Sequence, residues 1–310
     1  MSLNILVIRS GTIGDMAVAL PAFRALAIEH ELTVFQLGRE SRGIDFFMPY
    51  LSTFASVTSG SRLDLIRKLR EGKFDAVVDL YQDRQSFLSK LLSVFIQMVF
   101  SRTAIWGGLL LNFTTPVNKV RGEKQRLFKL VEFLTAQTFK VSKDLVRKEL
   151  LRLSKSPKLG GAETVMIMCG KKDVCRLTPV QTKSLVQQVR SGSDSFAILI
   201  DSDQKVLLDP NIEESKVWVS PITLIEVISI LHGAKSVYSI DTGFAHLAEL
   251  VGLQLRVYVS HADRFNRWWK EDDRISVCYP STIPCCSPCF SAVCKINQKC
   301  IADIEIRVDV

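Results

Sequence analysis

Two short segments carry residue types that could bind or turn over a ligand. The first is residues 9–15 (RSGTIGD), and the second is residues 239–246 (SIDTGFAH). Each follows an apolar run that predicts a β-strand and leads through a glycine-containing loop into a predicted helix. Because the first N–H groups of a helix lack intrahelical partners, α/β proteins bind anionic ligands at such junctions. Residues 9–15 match neither a dinucleotide fingerprint nor a P-loop.

Three side chains in these segments are candidates for chemistry. Asp15, at the start of its predicted helix, could act as a general base at the mouth of a cleft, or could simply complement the helix dipole. Asp241 could cap the helix that begins at Thr242, whose unpaired N–H groups would form a pyrophosphate site. His246 lies one turn into that helix, where a packed or solvated role is the ordinary interpretation of a single histidine.

Two other clusters raise the question of a metal. Asp201 and Asp203 follow an apolar run and could chelate a hard cation, although we favour a strand-end loop with Asp203 near a nucleotide ribose. Six of the eight cysteines fall in the last 33 residues, and four of them could bind zinc or iron: Cys286, Cys289, Cys294 and Cys300. Their spacing is unusual for a metal site, so we predict reduced thiols and no metal.

Alternating apolar runs and helical patterns predict two doubly wound α/β domains. The predicted strands are 3–9, 32–37, 76–80, 165–169, 197–201, 216–219, 236–240 and 255–259. The predicted helices are 15–30, 63–70, 179–190 and 224–231. A linker-like stretch at 151–163 places the boundary between a first domain of residues 1–158 and a second of residues 159–310.

Charge is unevenly divided between these halves. Residues 1–158 contain 24 Lys and Arg against 14 Asp and Glu, a net charge of +10, whereas residues 159–310 carry −2. A basic half favours an anionic partner such as nucleic acid, a phosphorylated glycolipid or a membrane surface, or it serves solubility alone. The basic cluster at 119–129 could likewise bind phosphates or face solvent. No nucleic-acid-binding motif accompanies it, which disfavours that partner.

Membrane-spanning and exported classes are not indicated. No apolar run reaches the length needed to cross a bilayer, and no signal peptide is visible, so we expect a cytoplasmic protein. Residues 87–100 could form a helix that lies on a membrane interface, but an ordinary buried helix is the favoured interpretation.

Taken together, the motifs resemble glycosyltransferase family 9, the bacterial lipopolysaccharide heptosyltransferases. One matching pattern is Arg9, Gly14, Asp15 and Pro21, followed by residues 22–26 (AFRAL). The other is residues 241–248 (DTGFAHLA), and residues 286–290 (CSPCF) with Cys294, Cys300 and Ile304 look like the heptosyltransferase II branch. The resemblance extends over nearly the whole chain.

This resemblance implies a GT-B fold, with two Rossmann-like domains facing across a cleft. The first domain would bind the acceptor and the second the nucleotide-sugar donor. Asp15 matches the family's catalytic base. The implied donor-binding residues are Arg176, Lys172, Ile222, Asp241, Thr242, Gly243 and His246. The implied acceptor-binding residues are Arg9, Ser10, Thr12, Gly14, Arg84, Lys119 and Arg121.

The implied activity is inverting transfer of heptose from ADP-heptose to the Kdo and heptose region of the lipopolysaccharide inner core, with no cofactor or metal. The protein would act as a peripheral protein at the inner face of the inner membrane. Residues 260–263 (SHAD) replace the family's Gly-Pro-Thr, and Asp79, Arg84 and Ser86 match only part of an acceptor-side pattern. Alternatives are another nucleotide sugar or a protein acceptor, a metal-dependent GT-A enzyme, and a non-catalytic sugar-nucleotide-binding scaffold.

Overall fold

The chain forms two compact units, Met1–Val146 and Arg147–Val310. The computed structural model describes residues 2–9, 11–37, 42–71, 74–79, 105–106, 127, 139–154, 162–170, 175–260, 269–282 and 299–308. The predicted boundary between residues 158 and 159 lies outside these residues, as do residues 87–100 and the Lys and Arg residues of the basic cluster at 119–129. In the described parts of the chain, no helix is both long and apolar enough to cross a bilayer.

The N-terminal unit is built on a parallel five-stranded sheet. Its strands are β1 (Asn4–Arg9), β2 (Glu31–Leu37), β3 (Ser56–Gly60), β4 (Ala76–Asp79) and β5 (Ile105–Trp106), in the order β3-β2-β1-β4-β5. The helices are α1 (Ile13–Glu29), α2 (Arg42–Leu51), α3 (Arg62–Glu71) and α4 (Phe139–Leu153), and the division between the units falls within α4. The strand order reverses between β1 and β4, which is where such sheets open a ligand crevice.

The C-terminal unit repeats this plan with six parallel strands. They are β6 (Thr164–Ile167), β7 (Phe196–Asp201), β8 (Val217–Ser220), β9 (Ser236–Ile240), β10 (Gln254–Tyr258) and β11 (Ile275–Cys278), in the order β11-β10-β9-β6-β7-β8. The helices are α5 (Pro179–Gly192), α6 (Leu224–His232), α7 (Gly243–Val251) and α8 (Lys299–Ala302), with 3-10 turns at Ser202–Leu207 and Glu214–Lys216. Here the order reverses between β6 and β9.

Burial explains why the strands could be recognised in the sequence. The central strands are covered by helices on both faces, so their residues form continuous apolar runs rather than alternating ones. Ile5, Leu6, Val7 and Ile8 of β1 are fully buried, and β6 is buried along its whole length. The chain end closes the second core, because Ile301 and Ile304 are buried and Gln181 of α5 donates from Nε2 to both of their carbonyls.

The predicted α/β class, the parallel sheets and the doubly wound topology are confirmed. Every predicted strand and helix is present, with ends that agree to within two residues. Elements that the sequence analysis did not predict are α2, α4, α8, β3, β5 and β11.

Candidate active site

The loop at the carboxyl end of β1 fixes the carboxylate of Asp15. Thr12 is the N-cap of α1 and forms a capping box with Asp15, a device that stabilises the first turn of a helix. The Thr12 N–H and hydroxyl both donate to Asp15 Oδ2, at 2.8 and 2.9 Å. Within the described residues, Asp15 Oδ1 accepts no hydrogen bond, and the side chain is 27% exposed. One oxygen therefore holds the carboxylate in place while the other remains accessible.

Arg9 lies beneath this loop. It is the last residue of β1, is only 3% exposed, and donates from Nη2 to the main-chain oxygen of Asp15 at 3.1 Å. The same nitrogen lies 3.8 Å from Asp15 Oδ1. A buried guanidinium so close to a carboxylate restricts the orientation that the carboxylate can take. Arg9, predicted to bind the acceptor, is thus buried in contact with Asp15.

Two glycines allow this close packing. Gly11 has φ +148°, and a Cβ there would lie 2.6 Å from Asp15 Cβ and 2.7 Å from Asp15 Oδ2. Gly43, at the start of α2, packs against the loop so closely that a Cβ would lie 2.7 Å from the Thr12 carbonyl oxygen and 2.8 Å from that of Gly11. A side chain at either position would therefore displace the backbone or the carboxylate that it contacts.

The remaining acceptor-side predictions are only partly placed. Gly14 is buried in the first turn of α1, beside Asp15. The other four residues, Ser10, Arg84, Lys119 and Arg121, lie outside the described residues.

In the C-terminal unit, the loop after β6 meets the start of α7. A Cβ on Gly170 would lie 2.9 Å from Ile240 Cδ1 and 3.5 Å from Thr242 Cγ2, so this glycine permits the two segments to approach. Ile240 ends β9 and Thr242 is the N-cap of α7. The predicted donor segment 241–246 therefore begins directly at the point where the strand order reverses.

The N-terminus of α7 differs from those of α1, α5 and α6. Capping boxes begin α1, α5 and α6, through Thr12, Thr178 and Thr223. No side chain caps α7, and the buried Thr242 Oγ1 has no hydrogen-bond partner among the described residues. Because native buried polar atoms are nearly always paired, this hydroxyl and the first-turn N–H groups form an arrangement suited to an anion.

Trp269 joins two of the predicted donor residues. Its indole N–H donates to Asp241 Oδ1 at 2.7 Å, and its ring stacks on His246 with centroids 4.1 Å apart and planes 5° from parallel. His246 Nδ1 also lies 3.7 Å from Glu249 Oε2 on the same helix. Trp269 could not be predicted from the sequence, because no motif links it to Asp241, 28 residues earlier.

Arg176 lies among carboxylates. Its guanidinium donates to Asp203 Oδ2 at 2.6 Å, to Asp201 Oδ2 at 3.3 Å and to the Gly170 carbonyl at 2.5 Å. The Gly170 N–H donates in turn to Asp201 Oδ2 at 2.7 Å. In this structure, Asp201 and Asp203 therefore hold a guanidinium, and Arg176 joins the ends of β6 and β7.

Two further predicted donor residues, Ile222 and Lys172, and the unpredicted Cys169 complete this part of the chain. Ile222 lies between β8 and α6, directly after the cis Ser220–Pro221 peptide bond. Lys172 lies outside the described residues. Burial, followed by the nearby charge of Asp201, raises the pKa of the Cys169 thiol at the end of β6, so this cysteine stays protonated and is a poor metal ligand.

The predicted cysteine cluster is not placed. Cys286, Cys289 and Cys294 lie outside the described residues, and Cys300 lies in α8, where only its backbone is described. Among the residues that the structure does describe, no group of three or more His, Cys, Asp or Glu side chains could hold a metal ion.

Comparison with solved structures identifies the fold as GT-B, the class of the heptosyltransferases. A family 9 glycosyl transferase from Veillonella parvula matches with a TM-score of 0.65 and 12% identity, covering 98% of this chain and 94% of that one. E. coli heptosyltransferase WaaC, solved with ADP-2-deoxy-2-fluoro heptose, matches with a TM-score of 0.60 and 16% identity, covering 90% and 93%. E. coli ADP-heptose lps heptosyltransferase II matches with a TM-score of 0.57 and 14% identity, covering 90% and 92%.

Comparison at the level of sequence adds nothing to this result, since no protein-family model and no curated protein matches the chain. The predicted GT-B fold is confirmed. The site residues stay predictions.

Proposed function

We propose that the protein is an inverting glycosyltransferase of family 9 that transfers heptose from ADP-heptose to an anionic glycolipid, the lipopolysaccharide inner core. The observation that carries the proposal is the Asp15 carboxylate at the reversal of the first sheet, held through Oδ2 and accessible through Oδ1. The GT-B fold and the match to a WaaC structure solved with an ADP-heptose analogue support the donor.

In this mechanism, Asp15 acts as the general base. Its Oδ1 accepts the proton of an acceptor hydroxyl while that oxygen attacks the anomeric carbon of the donor sugar. A new glycosidic bond forms on the face opposite the leaving group, and the bond between the anomeric carbon and the diphosphate oxygen breaks, so that configuration inverts. Arg9 and Thr12 keep the carboxylate oriented throughout, and the proton ends on Asp15.

The leaving ADP gains negative charge on its terminal phosphate oxygen. Donors fixed in advance where charge develops are an effective form of electrostatic catalysis. The uncapped start of α7, with Thr242 and Gly243, supplies N–H groups and a hydroxyl of this kind. These groups need no metal to stabilise a diphosphate, which supports a metal-independent reaction.

The uneven distribution of charge supports the proposed acceptor and the proposed position at the membrane. The net charge of +10 in residues 1–158 favours an acceptor rich in phosphate and acidic sugar, and a peripheral position at the anionic inner face of the inner membrane. The first domain would bind this acceptor, and residues 159–310 would bind the donor.

The experiment is calorimetric titration with ADP-heptose beside UDP-, GDP- and CMP-sugars, all in EDTA, followed by a transfer assay with a Kdo-lipid A acceptor. Selective ADP-heptose binding and transfer in EDTA would support the proposal. Selectivity for another nucleotide would contradict heptose as the substrate. Binding without transfer to any acceptor would favour a non-catalytic scaffold, and transfer abolished by EDTA would contradict the metal-free mechanism.

A further inference from the structure

Asp241 presents an electrostatic problem for a diphosphate subsite at the start of α7. Its carboxylate directly precedes the N-cap Thr242, so a negative charge lies beside the N–H groups that would bind the leaving diphosphate. The carboxylate and a bound diphosphate are both negative and would repel each other, and this repulsion grows where water is excluded. A carboxylate left to move freely there would weaken donor binding.

Among the described residues, one buried side chain holds this carboxylate. Trp269 is 1% exposed and donates its indole N–H to Asp241 Oδ1 at 2.7 Å. A short hydrogen bond to an ionised acceptor is stronger than a neutral one, and it withdraws part of the charge from the bound oxygen. Trp269 comes from the segment 269–282 that leads into β11, so this restraint reaches α7 from a separate element.

The same indole also fixes His246. The two rings are stacked with centroids 4.1 Å apart and planes 5° from parallel, and Glu249 Oε2 lies 3.7 Å from His246 Nδ1. The imidazole is 6% exposed and therefore has little freedom to turn. One tryptophan thus orients two of the side chains that would surround the donor diphosphate.

We propose that Trp269 is a positioning residue of the donor-diphosphate subsite, which directs the Asp241 carboxylate with its N–H and the His246 imidazole with its ring face. This inference rests on the proposed function, because it assumes that the start of α7 binds the diphosphate. It assigns no contact between Trp269 and the substrate.

The test is a double-mutant cycle on ADP binding by the full-length protein. Trp269→Phe keeps an aromatic ring against His246 but removes the N–H, and Asp241→Asn removes the charge that the N–H restrains. We expect Trp269→Phe to raise the Kd for ADP about five- to tenfold in the wild-type background and less than twofold in the Asp241→Asn background. Trp218→Phe, in β8, is the matched control and should leave the Kd unchanged.

A merely structural role predicts a different result. It would make Trp269→Phe lower the melting temperature and raise the Kd equally in both backgrounds, and either equal effects or no effect would overturn the proposal. If wild-type protein binds no ADP, the proposed function and this inference both fail. If wild-type protein binds ADP but the cycle shows no coupling, this inference alone fails.

A measurement on unmutated Trp269 covers the case in which Trp269→Phe does not fold. The indole N–H signals of ¹⁵N-labelled protein can be assigned by Phe replacement of the other three tryptophans. The proposal expects the Trp269 signal to shift on addition of ADP and to exchange slowly with deuterium. A signal that ADP leaves unmoved would overturn it.

Discussion

The two units place opposite chemistry on opposite sides of the strand-order reversal that they share, after β1 in one sheet and after β9 in the other. In the N-terminal unit the helix after the central strand begins with a capping box, and its Asp15 carboxylate has an accessible oxygen. In the C-terminal unit the helix after β9 begins with a buried Thr242 hydroxyl, and no described residue caps this helix with its side chain or hydrogen-bonds to that hydroxyl. The first arrangement can accept a proton and the second can bind an anion. The first turns of these two helices therefore offer different chemistry within the same topology.

Within the N-terminal unit, the first turns of α1 and α3 have similar capping residues, but only that of α1 has the features of a candidate site. Gly60, Ser61 and Asp64 repeat at α3 the arrangement of Gly11, Thr12 and Asp15, with the Ser61 N–H and hydroxyl donating to Asp64 Oδ2 at 2.8 and 2.7 Å. However, α3 follows the edge strand β3, and its carboxylate pairs with the exposed Arg67. These hydrogen bonds lower the pKa of Asp64 without creating a site. Position at the sheet reversal and the buried Arg9 distinguish Asp15.

The largest effect should come from Asp15→Asn. An amide of the same shape keeps the loop but cannot accept the acceptor proton, so kcat should fall by about 10²- to 10⁴-fold. Steady-state transfer assays would measure this. Asp64→Asn is the matched control and should retain wild-type kcat. Equal losses in the two variants would show that Asp15 acts only as a helix cap.

Gly11→Ala should have the next largest effect. A Cβ at φ +148° would be strained and would collide with the Asp15 carboxylate, and a displacement of about 1 Å can lower a rate by about 100-fold. We expect kcat to fall at least about tenfold, with the circular dichroism spectrum preserved. Gly60→Ala makes the corresponding collision with Asp64, so it should lower stability and leave kcat unchanged. Full activity of Gly11→Ala would mean that the orientation of Asp15 does not matter.

Thr242→Val tests whether the Thr242 hydroxyl of the C-terminal unit contributes to donor binding. The substitution keeps the shape of the side chain and removes the unpaired hydroxyl, so the Kd for ADP should rise about three- to tenfold while urea denaturation changes little. Thr223→Val should do the reverse, because that hydroxyl caps α6: we expect about 1 kcal/mol of lost stability and an unchanged Kd. An unchanged Kd for Thr242→Val would remove this hydroxyl from the donor site.

The smallest effect concerns the capping carboxylate of α6. The hydroxyl and N–H of Thr223 hold the pKa of Glu226 below its usual value of 4.5. The charged form is therefore favoured in the folded state, and its stabilisation is present above about pH 4.5 and is lost as pH falls through the lowered pKa. Glu226→Gln should be less stable than wild type by up to about 1 kcal/mol at pH 7, a difference that shrinks towards pH 4. A pH-independent difference in urea denaturation would contradict this cause.

The sequence predicts the buried strands and the helices that follow them better than the edge elements. The central strands are continuous apolar runs because helices cover both of their faces. By contrast, β3 has Val57 as its single large apolar residue and forms because it pairs with β2. Helix α2 contains Gly43 and Pro49, which argue against a helix locally, but burial of Phe47, Tyr50 and Leu51 stabilises it.

Only those parts of the candidate site whose residues are close together in sequence could be predicted. The spacing of Thr12 and Asp15 is that of a capping box, and residues 241–243 (DTG) are typical of the start of a helix. Arg176 was predicted from a pattern, but its contacts with Asp201 and Asp203 depend on how β6 and β7 end side by side. Trp269 and Gly43 carry no local signal, because their partners are distant in sequence.

In the proposed mechanism, the N-terminal unit accepts the proton and the C-terminal unit binds the donor. This division can be tested by calorimetric titration of ADP-heptose into the Asp15→Asn variant. If the base lies in the N-terminal unit and the diphosphate subsite at α7, this variant should bind ADP-heptose with a Kd within about twofold of wild type while its kcat falls by at least about 100-fold. Loss of donor binding in this variant would contradict the division.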